Sequence, residues 1–210
     1  MSHIVTSANS VEERSRTRLE LHVAGNLRTP VGPLDVLKEA RRRFLKGRRV
    51  DMGELATDMG ISRATLYRWV GDRERLLGEI LWSLAESGLQ EARTHSAGET
   101  GVESVVRFHR RMMELTAGFE PIKQFVEAEP ELAIRVLTSK HGVQQRRLIE
   151  ATRVFLEEKA AAGELQLRLP AADLAFVMVR IGESFIWREF ITGEEPDISR
   201  AVEVVRVLLS

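Results

Sequence analysis

Hydroxyl, phenol and guanidinium side chains follow one another closely between residues 62 and 73, in the stretch SRATLYRWVGDR. In a helix that begins after Ser62, the helical period turns Leu66 inward together with Trp69 or Val70. The outward face is then formed by Arg63, Ala64, Thr65, Tyr67 and Arg68. Arginine pairs with guanine edges or phosphates, threonine and tyrosine donate to phosphates, and alanine leaves room in a groove. The pattern predicts a DNA-contacting surface, and an ordinary helical hairpin with solvated arginines is the alternative.

The residues before this face supply the elements that position it. Asp51 and Glu54 stand three residues apart like a capping box, which predicts a short helix from about Met52. Gly60 ends that helix, because a tight turn between crossing helices needs a left-handed backbone, and Ser62 is placed to cap the next one. Further upstream, PLDVLKEARRRFLKG has apolar residues at helical spacing between an early proline and a late glycine. Together these elements predict a helix-turn-helix unit preceded by one helix.

The stretch LATDMGISRATLYRWVGDRERLL resembles the DNA-binding signature of TetR-family transcriptional regulators, and the agreement covers about residues 33 to 87. The resemblance implies that Thr65 and Tyr67 contact phosphate or groove and that Arg73 takes the family's basic position at the start of a fourth helix. Trp69 stands where the family commonly has histidine, so we predict a packing role for it. The predicted DNA-binding residues are Ser62, Arg63, Ala64, Thr65, Tyr67, Arg68 and Arg73.

Charge is distributed unevenly along the 210 residues, although 31 basic and 31 acidic side chains give a formal net charge of zero. Residues 1–75 contain 15 Lys or Arg and 10 Asp or Glu, a net charge of +5, whereas residues 76–210 contain 16 and 21, a net charge of −5. Phosphate neutralisation supplies most non-specific affinity for nucleic acid. The asymmetry is therefore typical of a nucleic-acid-binding head on a regulatory body.

Helical patterns run through most of the chain and predict an all-α fold with two functional domains. We expect a three-helix helix-turn-helix DNA-binding domain with a connector helix at residues 31–87, and a helical effector-binding and dimerisation bundle at residues 88–210. Residues 1–30 are expected to form a flexible arm, either a solvated tail or a basic arm that reaches along DNA. The helices of the bundle are expected at residues 102–117, 121–128, 130–138, 143–162, 171–191 and 197–209.

A helical bundle of this size can enclose a ligand cavity. The candidate lining residues are Phe108, Met112, Phe119, Phe125, Phe155, Phe176 and Phe185, for which ordinary core packing is the alternative. Arg180 and Glu183 interrupt the apolar stretch ADLAFVMVRIGESFIWREF. At positions i and i+3 they can pair with each other, lie at a dimer interface, or bind a polar head group in the cavity.

That apolar stretch and its continuation ITGEEPD resemble the C-terminal domain of QsdR-type TetR regulators, which are associated with degradation of quorum-sensing lactones. The resemblance implies a small apolar effector of lactone or acyl type. By family analogy the last two helices form a dimer interface. Their apolar faces would contribute Val177, Ile181, Phe185, Ile198, Val202, Val205 and Leu208 or Leu209. Burial of these residues within one chain is the alternative.

Enzyme chemistry has little support in this sequence. Cysteine is absent, which excludes a disulfide, a thiolate metal site and a cysteine nucleophile. There is no His-Glu-x-x-His run, phosphate-cradling glycine loop or nucleophile elbow, and His109 is interpreted as a surface or core histidine. We therefore expect no catalytic residue, no metal and no cofactor. A helical enzyme that converts a small molecule, and a helical dimer that binds a protein partner without DNA, stay open as alternatives.

The sequence as a whole predicts a ligand-responsive transcriptional regulator, acting as a repressor. Its expected partners are double-stranded operator DNA, a small apolar or lactone-type effector, and a second copy of the chain. No secretory or membrane-spanning pattern is present, so a cytoplasmic location without a membrane partner is expected.

Overall fold

Helices joined by short loops make up the described part of the molecule, in agreement with the predicted all-α fold. The computed structural model describes residues 31–139 and 142–210, so the arm predicted at residues 1–30 lies outside the described residues. The helices are α1 (Pro33–Leu45), α2 (Met52–Asp58), α3 (Arg63–Val70), α4 (Arg73–Ser96), α5 (Gly101–Ala117), α6 (Glu120–Ala128), α7 (Pro130–Thr138), α8 (Val143–Ala161), α9 (Ala171–Ile186), α10 (Arg188–Thr192) and α11 (Ile198–Leu209). Among them, none combines the length and hydropathy needed to cross a membrane.

The helices around the predicted helix-turn-helix begin where the sequence indicates, because their caps form. Asp51 accepts two backbone hydrogen bonds, at 2.8 and 2.9 Å, from the first turn of α2. Ser62 Oγ accepts one at 3.1 Å from the first turn of α3, and Asp72 Oδ1 accepts one at 2.8 Å from the first turn of α4. Gly60 makes the turn between α2 and α3 with φ of +66°, a conformation that favours glycine.

A buried arginine ties α1 to α2. Arg43 is only 1% exposed, and its Nε donates to Glu39 Oε1 at 3.0 Å. Its Nη2 donates to Asp58, and its Nη1 lies 3.8 Å from Glu54 Oε2. Hydrogen bonds from Arg42 and Arg43 lower the pKa of Glu39 to about 2, so this carboxylate stays ionised. Because a buried cation is tolerated only when it is paired, the three carboxylates allow Arg43 to occupy this position.

Helix α4 belongs to both halves of the molecule. Its first turns, from Leu76 to Leu81, pack into a hydrophobic cluster with Leu55 and Leu66 of the helix-turn-helix. The same cluster includes side chains of α6 and α7, so the N-terminal unit is packed directly onto the bundle. Farther along α4, Leu89 and Ala92 join a second cluster with side chains from α5, α8, α9 and α11. The domain boundary expected at residue 87 therefore lies inside one continuous helix.

The bundle helices lie within one residue of their predicted bounds, with one exception. The helix expected at 171–191 is two helices, because α9 ends at Ile186 and α10 begins at Arg188. Trp187, with φ of −92° and ψ of 16°, separates them and places its indole in the first hydrophobic cluster. The prediction of a single helix there was wrong. The helical periodicity of the sequence continues through Trp187, but the backbone leaves the helical conformation at this buried residue.

Candidate DNA-binding surface and internal cavity

Helix α3 presents the side chains that the sequence assigns to DNA contact. Leu66 is completely buried, whereas Thr65 is half-buried. Trp69 packs half-buried against the first hydrophobic cluster, as predicted. The exposed side chains of α3 are Arg63, Ala64, Tyr67 and Arg68. The helix is thus anchored on one face and open to solvent on the other.

Hydrogen-bond donors on this open face are largely uncommitted. Tyr67 is 49% exposed, and neither Tyr67 nor Arg68 has a hydrogen bond or ion pair among residues 31–139 and 142–210. The guanidinium of Arg63 lies against the first turn of α2. The hydroxyls of Ser62 and Thr65 are 3.0 Å apart and contact each other at the start of α3. Tyr67 and Arg68 are therefore free to donate to an external acceptor.

Arg73 has an environment different from the one that the family resemblance implied. Its Nη1 and Nη2 donate to the two carboxylate oxygens of Glu129 at 2.6 and 2.5 Å, and its Nε donates to the Val50 carbonyl at 2.6 Å. Hydrogen bonding to Arg73 lowers the pKa of the Glu129 carboxyl. The neighbouring pair repeats the link with charges reversed, since Arg135 Nε donates to Glu74 at 2.9 Å. In this conformation Arg73 joins the start of α4 to the junction of α6 and α7, and all three of its guanidinium nitrogens donate to acceptors of the chain.

A cavity of about 70 Å³ lies inside the bundle, between α5, α8 and α9. Gly182 lets α9 approach α5 closely at this cavity, because a β-carbon at position 182 would lie 3.2 Å from His109 Cε1. The apolar wall is formed by Phe108, Met112, Met113, Leu148, Val179, Ile186 and Trp187. Cavities with mainly apolar walls and a few polar groups are typical small-molecule sites.

Among the described residues, three lining residues have a buried side-chain atom that makes no hydrogen bond: His109 Nε2, Gln144 Oε1 and Glu183 Oε2. Glu183 Oε2 has an ion pair with Arg180, so His109 Nε2 and Gln144 Oε1 are the two without any polar partner. Burial lowers the pKa of His109 to about 4, so its imidazole is neutral near pH 7. A buried polar group without a partner costs on the order of 1–3 kcal/mol. A ligand that hydrogen-bonds to these atoms would recover part of that cost.

Glu183 also lines the cavity and belongs to a polar network. Gln145 Nε2 donates to Glu183 and to the Leu137 carbonyl, the latter at 2.6 Å. Arg180 Nη2 donates to Gln145 Oε1 at 2.7 Å, and Arg180 Nη1 lies 2.9 Å from Glu183 Oε2. Burial raises the pKa of Glu183 to about 7, although Arg180 and Gln145 act in the opposite direction. Mutual pairing of Arg180 and Glu183, one of the options read from the sequence, is therefore present.

Three of the predicted ligand-binding residues, Phe108, Met112 and Glu183, line this cavity, and Phe119 lines a neighbouring groove. The remaining ones lie elsewhere. Phe125 packs edge-on against an aromatic ring of α1, and Phe155 stacks on Phe108 in the core. Phe185 packs partly buried against the first hydrophobic cluster.

Phe176 is also outside the cavity, because it is 50% exposed on the surface of α9. The guanidinium carbon of Arg180 lies 5.5 Å from the centre of its ring, so Arg180 is directed to this surface and to the polar network. Helical spacing placed these residues on the correct helices. It did not determine which of them face a void, since that depends on how the helices pack.

Sequence reasoning did not identify Gln144 and Gly182, and it interpreted His109 only as a surface or core histidine. His109 is buried from solvent, and its side chain also lines the cavity. Gly182 carried a usable signal, because glycine inside a helix costs about 1 kcal/mol relative to alanine and often indicates close approach of another group. Gln144 carried none, since glutamine is common on helix surfaces.

An apolar face on the last long helices is exposed to solvent. Val207 is 77% exposed on α11. Val202 and Val205, which the sequence assigned to a dimer interface, are instead buried in the second hydrophobic cluster of their own chain. The exposed apolar side chains of α9 and α11 are Phe176, Val177, Val204 and Val207. Large apolar patches on a protein surface commonly mark interaction sites.

Comparison with known proteins agrees with this architecture. Residues 100–210 match the family model described as Tetracyclin repressor-like, C-terminal domain. No curated protein sequence matches the chain significantly. Similar solved structures include the TetR-family transcriptional repressor QsdR of R. erythropolis, with 26% identity, a TM-score of 0.76 and coverage of 84% of this chain and 93% of that one. They also include the TetR-family repressor AlkX of Dietzia sp., implicated in biodegradation of n-alkanes, with 25% identity, a TM-score of 0.59 and coverage of 87% and 97%.

The family model covers more than half of the chain, and two repressor structures match it over nearly their whole length. The chain therefore belongs to the TetR family of transcriptional regulators, non-enzymatic proteins that bind operator DNA as dimers and respond to small-molecule effectors.

Proposed function

We propose that this chain is a repressor that holds its operator through one face of α3 and releases it when an effector enters the bundle. The proposal is carried by one observation on the capped helix α3: Leu66 is buried, whereas Tyr67 and Arg68 are exposed and have no polar partner in the described part of the chain. Similarity to QsdR and AlkX, both described as repressors, supports repression as the direction of control. The proposed contact residues are Ser62, Arg63, Ala64, Thr65, Tyr67 and Arg68.

A twofold dimer suits this mode of binding, because two recognition helices then meet successive major grooves of one operator. The exposed apolar side chains of α9 and α11 are the surface that we assign to the dimer. Val207 illustrates why, since an isolated chain would leave most of this side chain in water. Helices α9 and α11 contact each other, so their exposed apolar side chains can belong to one continuous surface.

The effector is proposed to be a small, mostly apolar molecule with a hydrogen-bonding head, of lactone or acyl type. The apolar walls suit a hydrocarbon chain. His109 Nε2 and Gln144 Oε1 suit a polar group that can both accept and donate a hydrogen bond. Similarity to a repressor implicated in n-alkane biodegradation also supports an apolar ligand. A volume of about 70 Å³ has room for only a few heavy atoms, so a longer ligand has to extend beyond this cavity.

Helix α4 is the proposed route from effector to DNA. Its first turn is held by the bidentate pair of Arg73 with Glu129 and by the pair of Glu74 with Arg135. A movement of α6 and α7 would therefore displace the start of α4, which follows the recognition helix directly. Such coupling requires a ligand that favours one of two arrangements. We propose that an effector in the bundle selects the arrangement with lower operator affinity.

Replacement of Tyr67 or Arg68 tests the DNA contacts. With DNA from upstream of the chain's own gene, Tyr67→Ala is expected to weaken specific binding about tenfold through loss of one groove or phosphate contact. Arg68→Ala is expected to lower the slope of log affinity against log salt by about one if it contacts phosphate. Gel shifts over a salt series provide the measurement. Arg107→Ala is the control, because it removes the same charge from an exposed position on α5. Unchanged specific affinity in Tyr67→Ala would rule out the assigned contact.

Filling the cavity beside His109 tests effector binding. Gly182→Ala places a methyl group 3.2 Å from His109 Cε1, so it should narrow the cavity without introducing charge. We expect this variant to bind operator normally and to need at least about tenfold more lactone or acyl effector for half release. The matched control is Gly98→Ala, whose new β-carbon would meet no atom within 4 Å. If no lactone or acyl compound releases DNA from the unaltered protein, the proposed effector class is wrong.

The two titratable groups of the cavity predict opposite pH dependences. His109 has a lowered pKa of about 4, so its contribution to the free energy of unfolding is present above pH 6.5 and lost as pH falls towards 4. Glu183 has a raised pKa of about 7, so its contribution is present below pH 4.5 and lost as pH rises towards 7. Each effect is at most about 3 kcal/mol. Between pH 6.5 and 4.5 the two therefore partly cancel in the unaltered protein.

Single replacements should separate the two effects in denaturant unfolding at pH 6.5 and 4.5. In Glu183→Gln only His109 of the two groups can titrate, so acidification should destabilise this variant more than the unaltered protein. His109→Gln leaves only the carboxyl group, so acidification should destabilise it less. Parallel pH profiles for the two variants would show that these groups do not titrate as their burial indicates.

A further inference from the structure

A second apolar pocket lies beside the cavity and reaches the DNA-binding half of the molecule. This groove has a volume of about 250 Å³ and is bounded by α1, α4, α5, α6 and the start of α8. Met112, Thr116 and Gln144 line both the groove and the cavity, so these three side chains form the wall between them. The apolar part of the groove is formed by Leu81, Leu84, Leu115, Phe119 and Ile122.

Arg41 of α1 supplies the groove with a buried donor that has no acceptor. Its Nε is shielded from solvent and makes no hydrogen bond, and the side chain has no ion pair among the described residues. The next two arginines of α1 both donate to Glu39, and Arg43 Nη1, which makes no hydrogen bond, lies 3.8 Å from Glu54 Oε2. Arg41 has no carboxylate partner of this kind among the described residues. On the wall shared with the cavity, Gln144 Oε1 is a buried acceptor that has no donor. A buried donor without a partner is rare in folded proteins and calls for an explanation.

We propose that this groove is the second compartment of the effector site, and that it takes an aliphatic amphiphile whose carboxylate or acyl oxygen accepts a hydrogen bond from Arg41. The proposal rests on the function proposed above, because it assigns chemistry to the same effector. The apolar side chains match the aliphatic chain, and the buried Nε of the half-buried, cationic Arg41 matches an anionic or carbonyl oxygen. Glu91 also lines the groove, and its carboxylate is paired with Arg111. The small volume of the inner cavity gives a longer ligand reason to extend into the groove.

This placement gives the ligand contacts with both halves of the chain. Arg41 lies on α1 of the DNA-binding half, whereas Met112 and Phe119 belong to the bundle. The affinity of the ligand then depends on the position of α1 relative to the bundle. By reciprocity, a bound ligand favours one such position, which is the differential interaction that control of DNA binding requires.

Binding of decanoate to the full chain without DNA tests the proposal by isothermal titration calorimetry. Arg41→Met should weaken binding at least about tenfold through loss of a charge-assisted hydrogen bond. Arg42→Met is the matched control, since it removes the same charge from the adjacent exposed residue, and should change affinity less than about twofold. Decyltrimethylammonium has the same chain with a cationic head and should bind far more weakly than decanoate. Methyl decanoate keeps the carbonyl oxygen but has no charge, so it shows which of the two head groups Arg41 recognises. Weaker binding of either compound to Arg41→Met supports the contact.

A second variant tests the groove without altering any charge. Gly88 lines it, and a β-carbon there would make only ordinary contacts, 3.6 Å to Leu115 Cδ1 and 3.9 Å to Met112 Sδ. Gly88→Leu adds an apolar side chain from this position, which should fill the groove and abolish decanoate binding. Circular dichroism and thermal unfolding confirm that each variant is folded before titration.

The outcomes separate failure of this inference from failure of the proposed function. Because the titrations contain no DNA, loss of operator binding would not affect them. Decanoate binding that is weakened by Gly182→Ala but unchanged by Arg41→Met and Gly88→Leu would place the ligand in the inner cavity alone and overturn the groove assignment. Equal binding of decanoate and decyltrimethylammonium would overturn the groove assignment as well. So would an unaltered chain that binds neither decanoate nor methyl decanoate.

Discussion

The bidentate ion pair between Arg73 and Glu129 joins the DNA-binding half of the molecule to the bundle, and we propose that it sets the position of the recognition helix relative to the bundle. Arg73 begins α4 directly after α3, and its third nitrogen is held by the Val50 carbonyl in the loop before α2. One guanidinium thus contacts the loop before the helix-turn-helix and the junction of α6 and α7. Paired arginine and carboxylate groups of this geometry are strong and directional. A side chain that family resemblance assigns to DNA serves here as a connection between the two halves.

The local parts of this structure were predictable because short-range chemistry determines them. Asp51, Ser62 and Asp72 cap the helices that follow them, and helical periodicity correctly turned Leu66 inward and Tyr67 outward. Family membership confirms the predicted class, a non-enzymatic DNA-binding regulator. These features depend on residues within a few positions of one another, which is the range over which caps and periodicity act.

Long-range features were not predictable from the same evidence. Arg73 and Glu129 are 56 positions apart in the sequence, and nothing local to either residue indicates the other. Phe176 has the same spacing pattern as a lining residue, but the packing of α9 leaves it half exposed on the surface. Gln144 resembles a surface glutamine until α8 is packed against α5. Which side chains face a void is decided by tertiary packing, and neither composition nor periodicity determines it.

The central claim is that an effector in the bundle alters operator affinity through the connection between Arg73 and Glu129. It is tested most directly by the ratio of operator affinities without and with a saturating effector, compared between the unaltered protein and Glu129→Gln. The ratio cancels any direct effect of the lost charge on DNA binding, and effector affinity measured without DNA shows whether the cavity is intact. We predict that the ratio falls towards one in Glu129→Gln while effector affinity is retained. An unchanged ratio would contradict the account.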